Sequence, residues 1–242
     1  MVDGTIDRFA GFKPKDVLSW CPSCVLHLGE TLSGFRQASF EFDHVTNYLI
    51  ARAEGLAEKF VQPVNKRVLL HTHDGMDKVG RNVAAMLSSI PGLTLVDTIS
   101  EPGYTCGGSG ADRSPGLKKA ARAATLARAE REDVEILVSL YHGCHGQLSG
   151  LEAAGKFQVM NWTDLLVQAL GQQPHDDISK RYRMQDDWDM VLDEGEIYLK
   201  ANGVDMDREW LKSLLPDIFG QTEFKGGLEA FASKQNTLGA AE

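Results

Sequence analysis

From residue 67 to residue 170 the chain alternates short apolar runs with amphipathic ones, and that rhythm admits few folds. Residues 67–71 (RVLLH), 93–99 (LTLVDTI), 134–141 (VEILVSLY) and 157–161 read as short buried strands. Between the first two, Val79, Val83, Met86, Leu87 and Ile90 recur at helical spacing, and Pro91–Gly92 stops that helix. Residues 117–130 (LKKAARAATLARAE) form a helix on propensity alone. Residues 147–154 and 163–170 supply two more helices, the last capped by Thr163. A β-α-β-α-β-α-β-α order predicts an α/β fold, a mostly parallel sheet flanked by helices with right-handed crossovers.

The flanks differ. Residues 1–35 are mixed and short-range, with a helix opening after Cys24 and a second expected over 45–60, capped by Asp43 or Thr46. From residue 172 the chain is polar and acidic, a helical C-terminal tail with helices near 187–201 and 208–219. Residues 233–242 read as disordered. Three units are therefore expected: 1–60, 61–171 and 172–242.

Charge and composition remove whole function classes. A net charge of −9 leaves no basic footprint for nucleic acid. No apolar run approaches the roughly 20 residues that span a bilayer, and no basic, apolar leader opens the chain. A cytoplasmic protein with reduced thiols is expected. Its four cysteines, Cys21, Cys24, Cys106 and Cys144, are too few for a disulfide scaffold.

Their placement carries the chemistry. Ligands of an open parallel sheet bind at the carboxyl ends of its strands. Three unusual segments fall there: 71–75 (HTHDG), 104–108 (YTCGG) and 141–145 (YHGCH). If these strands are neighbours, His73, Cys106, His142, Cys144 and His145 converge on one edge. Cysteine and histidine together make a borderline-soft set, suited to zinc or to an iron–sulfur centre. Glycines beside Cys106 let backbone approach a bulky cluster, and Cys144 opens a helix, which favours thiolate. The bland alternative is that a buried cysteine in an α/β core is an inert small hydrophobe. His27, His44 and His175 read as surface or capping residues. Residues 107–110 lack the spacing of a phosphate loop. Cys21-Pro22-Ser23-Cys24 is a CxxC motif, whose spacing suits disulfide exchange and metal chelation alike.

Cys-Pro-Ser-Cys followed by Val-Leu-His-Leu, the Thr-Cys-Gly-Gly loop and a strand ending near Cys144 resemble the CCG-domain family. Heterodisulfide reductase B-type subunits and related iron–sulfur oxidoreductase subunits belong to it. The resemblance implies a CCG-domain-like fold, an iron–sulfur centre of 4Fe–4S or noncubane type, and a thiol or disulfide substrate. It implies partner subunits carrying iron–sulfur and flavin groups. Cys21 and Cys24 look like the closing Cys-Pro-x-Cys of a first domain whose remainder would come from another subunit or a split gene. Residues 67–170 look like a complete second domain. There Met76 stands where the family has a cysteine in His-Asp-Pro-Cys-His. Thr105-Cys106-Gly107 keeps one cysteine of Cys-Cys-Gly, and Tyr141-His142-Gly143-Cys144 keeps one of Cys-Pro-x-Cys.

The resemblance thus implies that Cys21, Cys24, Cys106 and Cys144 bind the cofactor. His73, Cys106, Cys144 and His142 would form an alternative zinc set, and His142 and His145 are candidate proton donors. Three functions follow as expectations: a redox subunit with an iron–sulfur centre, a zinc-bound member of the fold, or a metal-free structural or interaction subunit of such a complex.

Overall fold

The computed structural model describes residues 2–72, 77–100, 115–185 and 187–220. In chain order the first elements are helix α1 (Val2–Gly11), strand β1 (Asp16–Ser19), the short helix α2 (Pro22–Cys24), a π-helical stretch (Val25–Thr31), α3 (Leu32–Phe35) and β2 (Glu41–His44). Then come α4 (Val45–Ile50), α5 (Ala53–Ala57), β3 (Arg67–Thr72), α6 (Asp77–Ser88), β4 (Thr94–Ser100), α7 (Pro115–Arg131) and β5 (Ile136–Ser139). The chain continues with α8 (His142–Leu148), a 3₁₀ turn (Ser149–Ala153), β6 (Gln158–Asn161) and α9 (Trp162–Ala169). It closes with α10 (Ile178–Arg183), α11 (Trp188–Ala201) and α12 (Arg208–Phe219).

The expected α/β class is what forms. β3, β4, β5 and β6 make one four-stranded parallel sheet in the order β4-β3-β5-β6. β3 and β5 are central, so both are solidly apolar: Val68, Leu69, Leu70, Leu137 and Val138 have no exposed surface. α6 lays Val79, Val83, Met86 and Leu87 on the sheet, and α9 lays Trp162, Leu165, Leu166 and Ala169. Each such fully buried side chain contributes on the order of 1.5–3 kcal/mol. Gly92, at φ +81°, makes the turn that follows α6; a Cβ there would meet the Asn65 amide oxygen at 2.3 Å. α9 opens on a capping box in which Asn161 and Asp164 each bond the other's backbone N–H region.

Several local expectations need correction. The helix over 45–60 is two helices, α4 and α5, broken at Arg52, and its cap is His44 rather than Asp43 or Thr46. The strand over 134–141 is only Ile136–Ser139, because Tyr141 already caps α8. The helix expected over 147–154 lies earlier, at His142–Leu148, and tightens into the 3₁₀ turn. The mixed N-terminal stretch holds α1 and a second, two-stranded parallel sheet, with Asp16, Val17, Leu18 and Ser19 paired to Glu41, Phe42, Asp43 and His44. The Gly-rich loop and residues 233–242 lie outside the described residues.

The tail has a small core of its own. Tyr182, Val191, Leu192 and Leu215 are buried together, and Tyr182 meets Phe219 edge to face at 5.6 Å. Lys180 ties α10 to the sheet edge, donating to Glu152 at 2.5 Å and to the Val159 carbonyl at 2.9 Å.

Candidate functional site

β1 delivers Cys21 to the main sheet. Its last residue, Ser19, uses one hydroxyl twice, donating to the Cys21 carbonyl at 3.3 Å and accepting the Cys21 N–H at 3.1 Å. Trp20, between them, stacks flat on Trp162 at 5.2 Å and 4° and meets Tyr141 edge to face at 6.4 Å. Trp162 is buried and donates its indole N–H to the Leu140 carbonyl at 3.0 Å. The CxxC segment is therefore clamped to the carboxyl end of β5, beside the start of α8, which carries Cys144.

His44 completes the clamp from β2. Its Nδ1 accepts the Thr46 N–H at 3.2 Å, so Nε2 carries the proton and donates to the Trp20 carbonyl at 3.0 Å. The Tyr141 hydroxyl stands 3.3 Å from the same Nε2. Burial holds the His44 imidazole below its ordinary value, against the opposing pull of the Trp20 carbonyl and the Asp43 charge. Burial, and behind it the charge of a Cys21 thiolate, push the Tyr141 hydroxyl well above its ordinary range, so Tyr141 stays protonated.

His44 has a stability consequence. The unfolded chain protonates it near pH 6.5, while the folded chain resists, so acid favours unfolding. The melting temperature is expected to fall as pH drops from 7 toward 5. His44→Asn keeps the cap but cannot titrate, and should flatten that profile; an unchanged slope would remove His44 from the account.

The two thiols are unequal. Both are free; Cys21 is half-buried and Cys24 exposed. The Cys24 backbone N–H leads a set of hydrogen bonds, joined by the Cys24 thiol and by Ser23, that holds the Cys21 thiol below its ordinary value despite burial. Cys24 moves the opposite way: its bond to Cys21, burial and the Cys21 charge all raise it, with the Ser19 hydroxyl opposing. Pro22 at the first helical position and the Val25 N–H bonded to the Cys21 carbonyl at 3.1 Å fix this turn.

Cys144 lies in the first turns of α8, fully buried and disulfide-bonded. In that form it has no thiolate to give a metal; reduction must come first. His142 is exposed at the start of the same helix. His145 is held on both sides. Its Nε2 meets the Asp177 carboxylate, and its Nδ1 shares the buried Ser139 hydroxyl at 3.1 Å. Burial works to raise the Asp177 carboxyl, but bonds from His145 and the Lys180 N–H outweigh it and keep it below the ordinary value. A histidine so engaged ties α10 to the end of β5.

The structure brings Trp20 and Cys21 against Tyr141, the residue that precedes α8 with its His142, Cys144 and His145. His73 and Cys106 lie outside the described residues. Among the described residues, no three histidine, cysteine, aspartate or glutamate side chains gather as a metal-binding group. A 4Fe–4S cluster takes about four thiolates and structural zinc about four ligands, so the described residues do not by themselves hold either. The capping role of His44 matches its sequence reading, while its bond to Trp20 and the roles of Tyr141, Trp20 and Asp177 carry no signal there beyond residue type and place, a tryptophan next to CxxC and a tyrosine closing a strand. No helix among the described residues is long and apolar enough to cross a membrane. No protein-family model matches the chain, and no curated protein matches it either.

Proposed function

We propose that this chain is a redox subunit that moves electrons to or from a thiol or disulfide small molecule, within a heterodisulfide-reductase-like complex that supplies iron–sulfur and flavin partners. One observation carries the reading: an accessible thiol pair of unequal acidity is clamped to the sheet edge that also holds Cys144. The Cys21 thiolate attacks one sulfur of a disulfide, forms a mixed disulfide and expels one thiolate. Cys24, losing its proton, attacks the Cys21 sulfur and expels the second thiolate. The substrate gains two electrons as two thiols, and the Cys21–Cys24 pair is left as a disulfide. Reduced partner subunits restore the dithiol. Once Cys144 is reduced, the family resemblance also supports an iron–sulfur centre held by Cys21, Cys24, Cys106 and Cys144, or a zinc ion held by His73, Cys106, Cys144 and His142.

The test is one anaerobic preparation carried through two measurements. Iron and zinc are quantified first, and the metal-free protein is then titrated with glutathione disulfide. Reversible loss of two thiols, mapped to Cys21 and Cys24 by peptide mass, is the expected result. Failure of that pair to oxidise sinks the dithiol mechanism. Iron or zinc near one equivalent that disappears in Cys21→Ser transfers the function to the metal centre. A metal-free protein with inert thiols leaves only the structural, interaction role.

A further inference from the structure

A partly open cavity of about 190 Å³ is bounded by α1, the π-helical stretch, β2 and the segment joining α3 to β2. Its walls are Ile6 and Phe9 of α1, Leu28 of the π-helix, and Phe40 and Phe42 at β2. Phe9 meets Phe40 at 5.9 Å and 61°, and Phe42 at 6.2 Å and 72°, both edge to face. Gly29 forms part of the floor, where a Cβ would stand 3.4 Å from the Phe42 carbonyl. Its polar lining is Thr5, Arg36 and Gln37, with the Arg36 guanidinium bridging to Asp7 of α1 at 2.6 Å.

The apolar walls offer water few of the about two to four polar partners it takes, and cavities of about 150 Å³ are large enough for a benzene-sized ring. We propose that this cavity is a binding site for a monocyclic aromatic molecule bearing one hydrogen-bonding substituent. The ring enters the gap beside Phe9, Phe40 and Phe42 and extends their edge-to-face pattern, which aromatic quadrupoles favour over an aliphatic filler of equal size. The substituent hydrogen-bonds to Thr5 or Gln37 of the lining. A two-ring ligand exceeds the volume, and a bare hydrocarbon ring leaves the polar lining unused. The site does not depend on the thiol chemistry, and nothing in its test reads a thiol.

The test is a titration of the full chain by two-dimensional nuclear magnetic resonance, with p-cresol as probe and cyclohexanol and toluene as comparators. Saturable shifts at Thr5, Leu28 and Ala38 are expected, with p-cresol binding several-fold more tightly than either comparator. Ala38→Leu, which fills the space, should weaken p-cresol at least ~tenfold. Should Ala38→Leu lose its dispersed spectrum, Phe9→Leu decides instead, because it removes the edge-to-face partner while keeping an apolar wall. Absence of saturable shifts at the lining residues overturns the site. Binding that the folded variant leaves unchanged overturns it equally, and tighter binding of cyclohexanol or toluene overturns the ligand class.

Discussion

Trp162→Ala is expected to lower the unfolding free energy by about 3–5 kcal/mol, a large share of the roughly 5–15 kcal/mol that keeps a domain folded. The side chain is 1% exposed and sits at the first position of α9, between the sheet and Trp20. Truncation opens a cavity inside the core cluster that Trp162 shares with Leu140, Val159 and Leu165. It also strips the Leu140 carbonyl of its indole donor, worth about 1–3 kcal/mol where no water replaces it. Trp162→Phe separates these contributions, keeping a ring to face Trp20 while losing the N–H. The loss reaches the site as well. Without its stacking partner Trp20 loosens, and Cys21 and Cys24 should alkylate faster in the folded state. Urea unfolding followed by far-ultraviolet circular dichroism checks the first part, and timed alkylation below the unfolding midpoint checks the second. A midpoint equal to that of the unmodified protein would show that Trp162 is not part of the cooperative core. Unchanged alkylation would show that the stack does not hold the CxxC segment.

Why the sheet was legible and the clamp was not follows from range. β3 and β5 are central strands with both faces covered, so their apolar runs announce themselves within a few residues. α6 repeats its buried positions at helical spacing, and Pro91–Gly92 ends it locally. The contacts that place the thiols span the chain instead. Trp20 meets Trp162, and His44 meets Tyr141, across more than ninety residues in the second case. No local pattern encodes such pairs. β1 and β2 were invisible for a related reason: each is four residues long and half-exposed, and each exists only because the other pairs with it. The cap of α4 shows the same limit on a smaller scale. Asp43 and Thr46 are the better cap formers by type, yet His44 takes the position because its other nitrogen is already engaged by Trp20.

Cys21→Ser and Cys24→Ser should fail at different steps, and that split is the sharpest measure of the thiol pair. Cys21 is the more acidic thiol, and the largest cause is the backbone N–H of residue 24, which a serine there retains. In chelator-treated Cys24→Ser, alkylation of Cys21 should therefore keep a midpoint below the ordinary thiol value of about 8.5. That variant should attack a disulfide at close to the normal rate and then stop, holding the mixed disulfide because no second thiol resolves it. Intact-mass spectrometry would show the chain plus one substrate half. Cys21→Ser loses the thiolate itself. Only Cys24 remains, freed of the neighbour that raises it and so relaxing toward an ordinary thiol. First attack at pH 7 should slow by roughly ten- to a hundredfold, in line with the smaller thiolate fraction. The order matters more than the sizes. If Cys24 alkylates first, or the Cys24→Ser midpoint sits at or above the ordinary value, then the bonds at the turn do not activate Cys21. In that case the pair is better read as two ligands than as a dithiol, since chelation needs both sulfurs and draws no distinction between them.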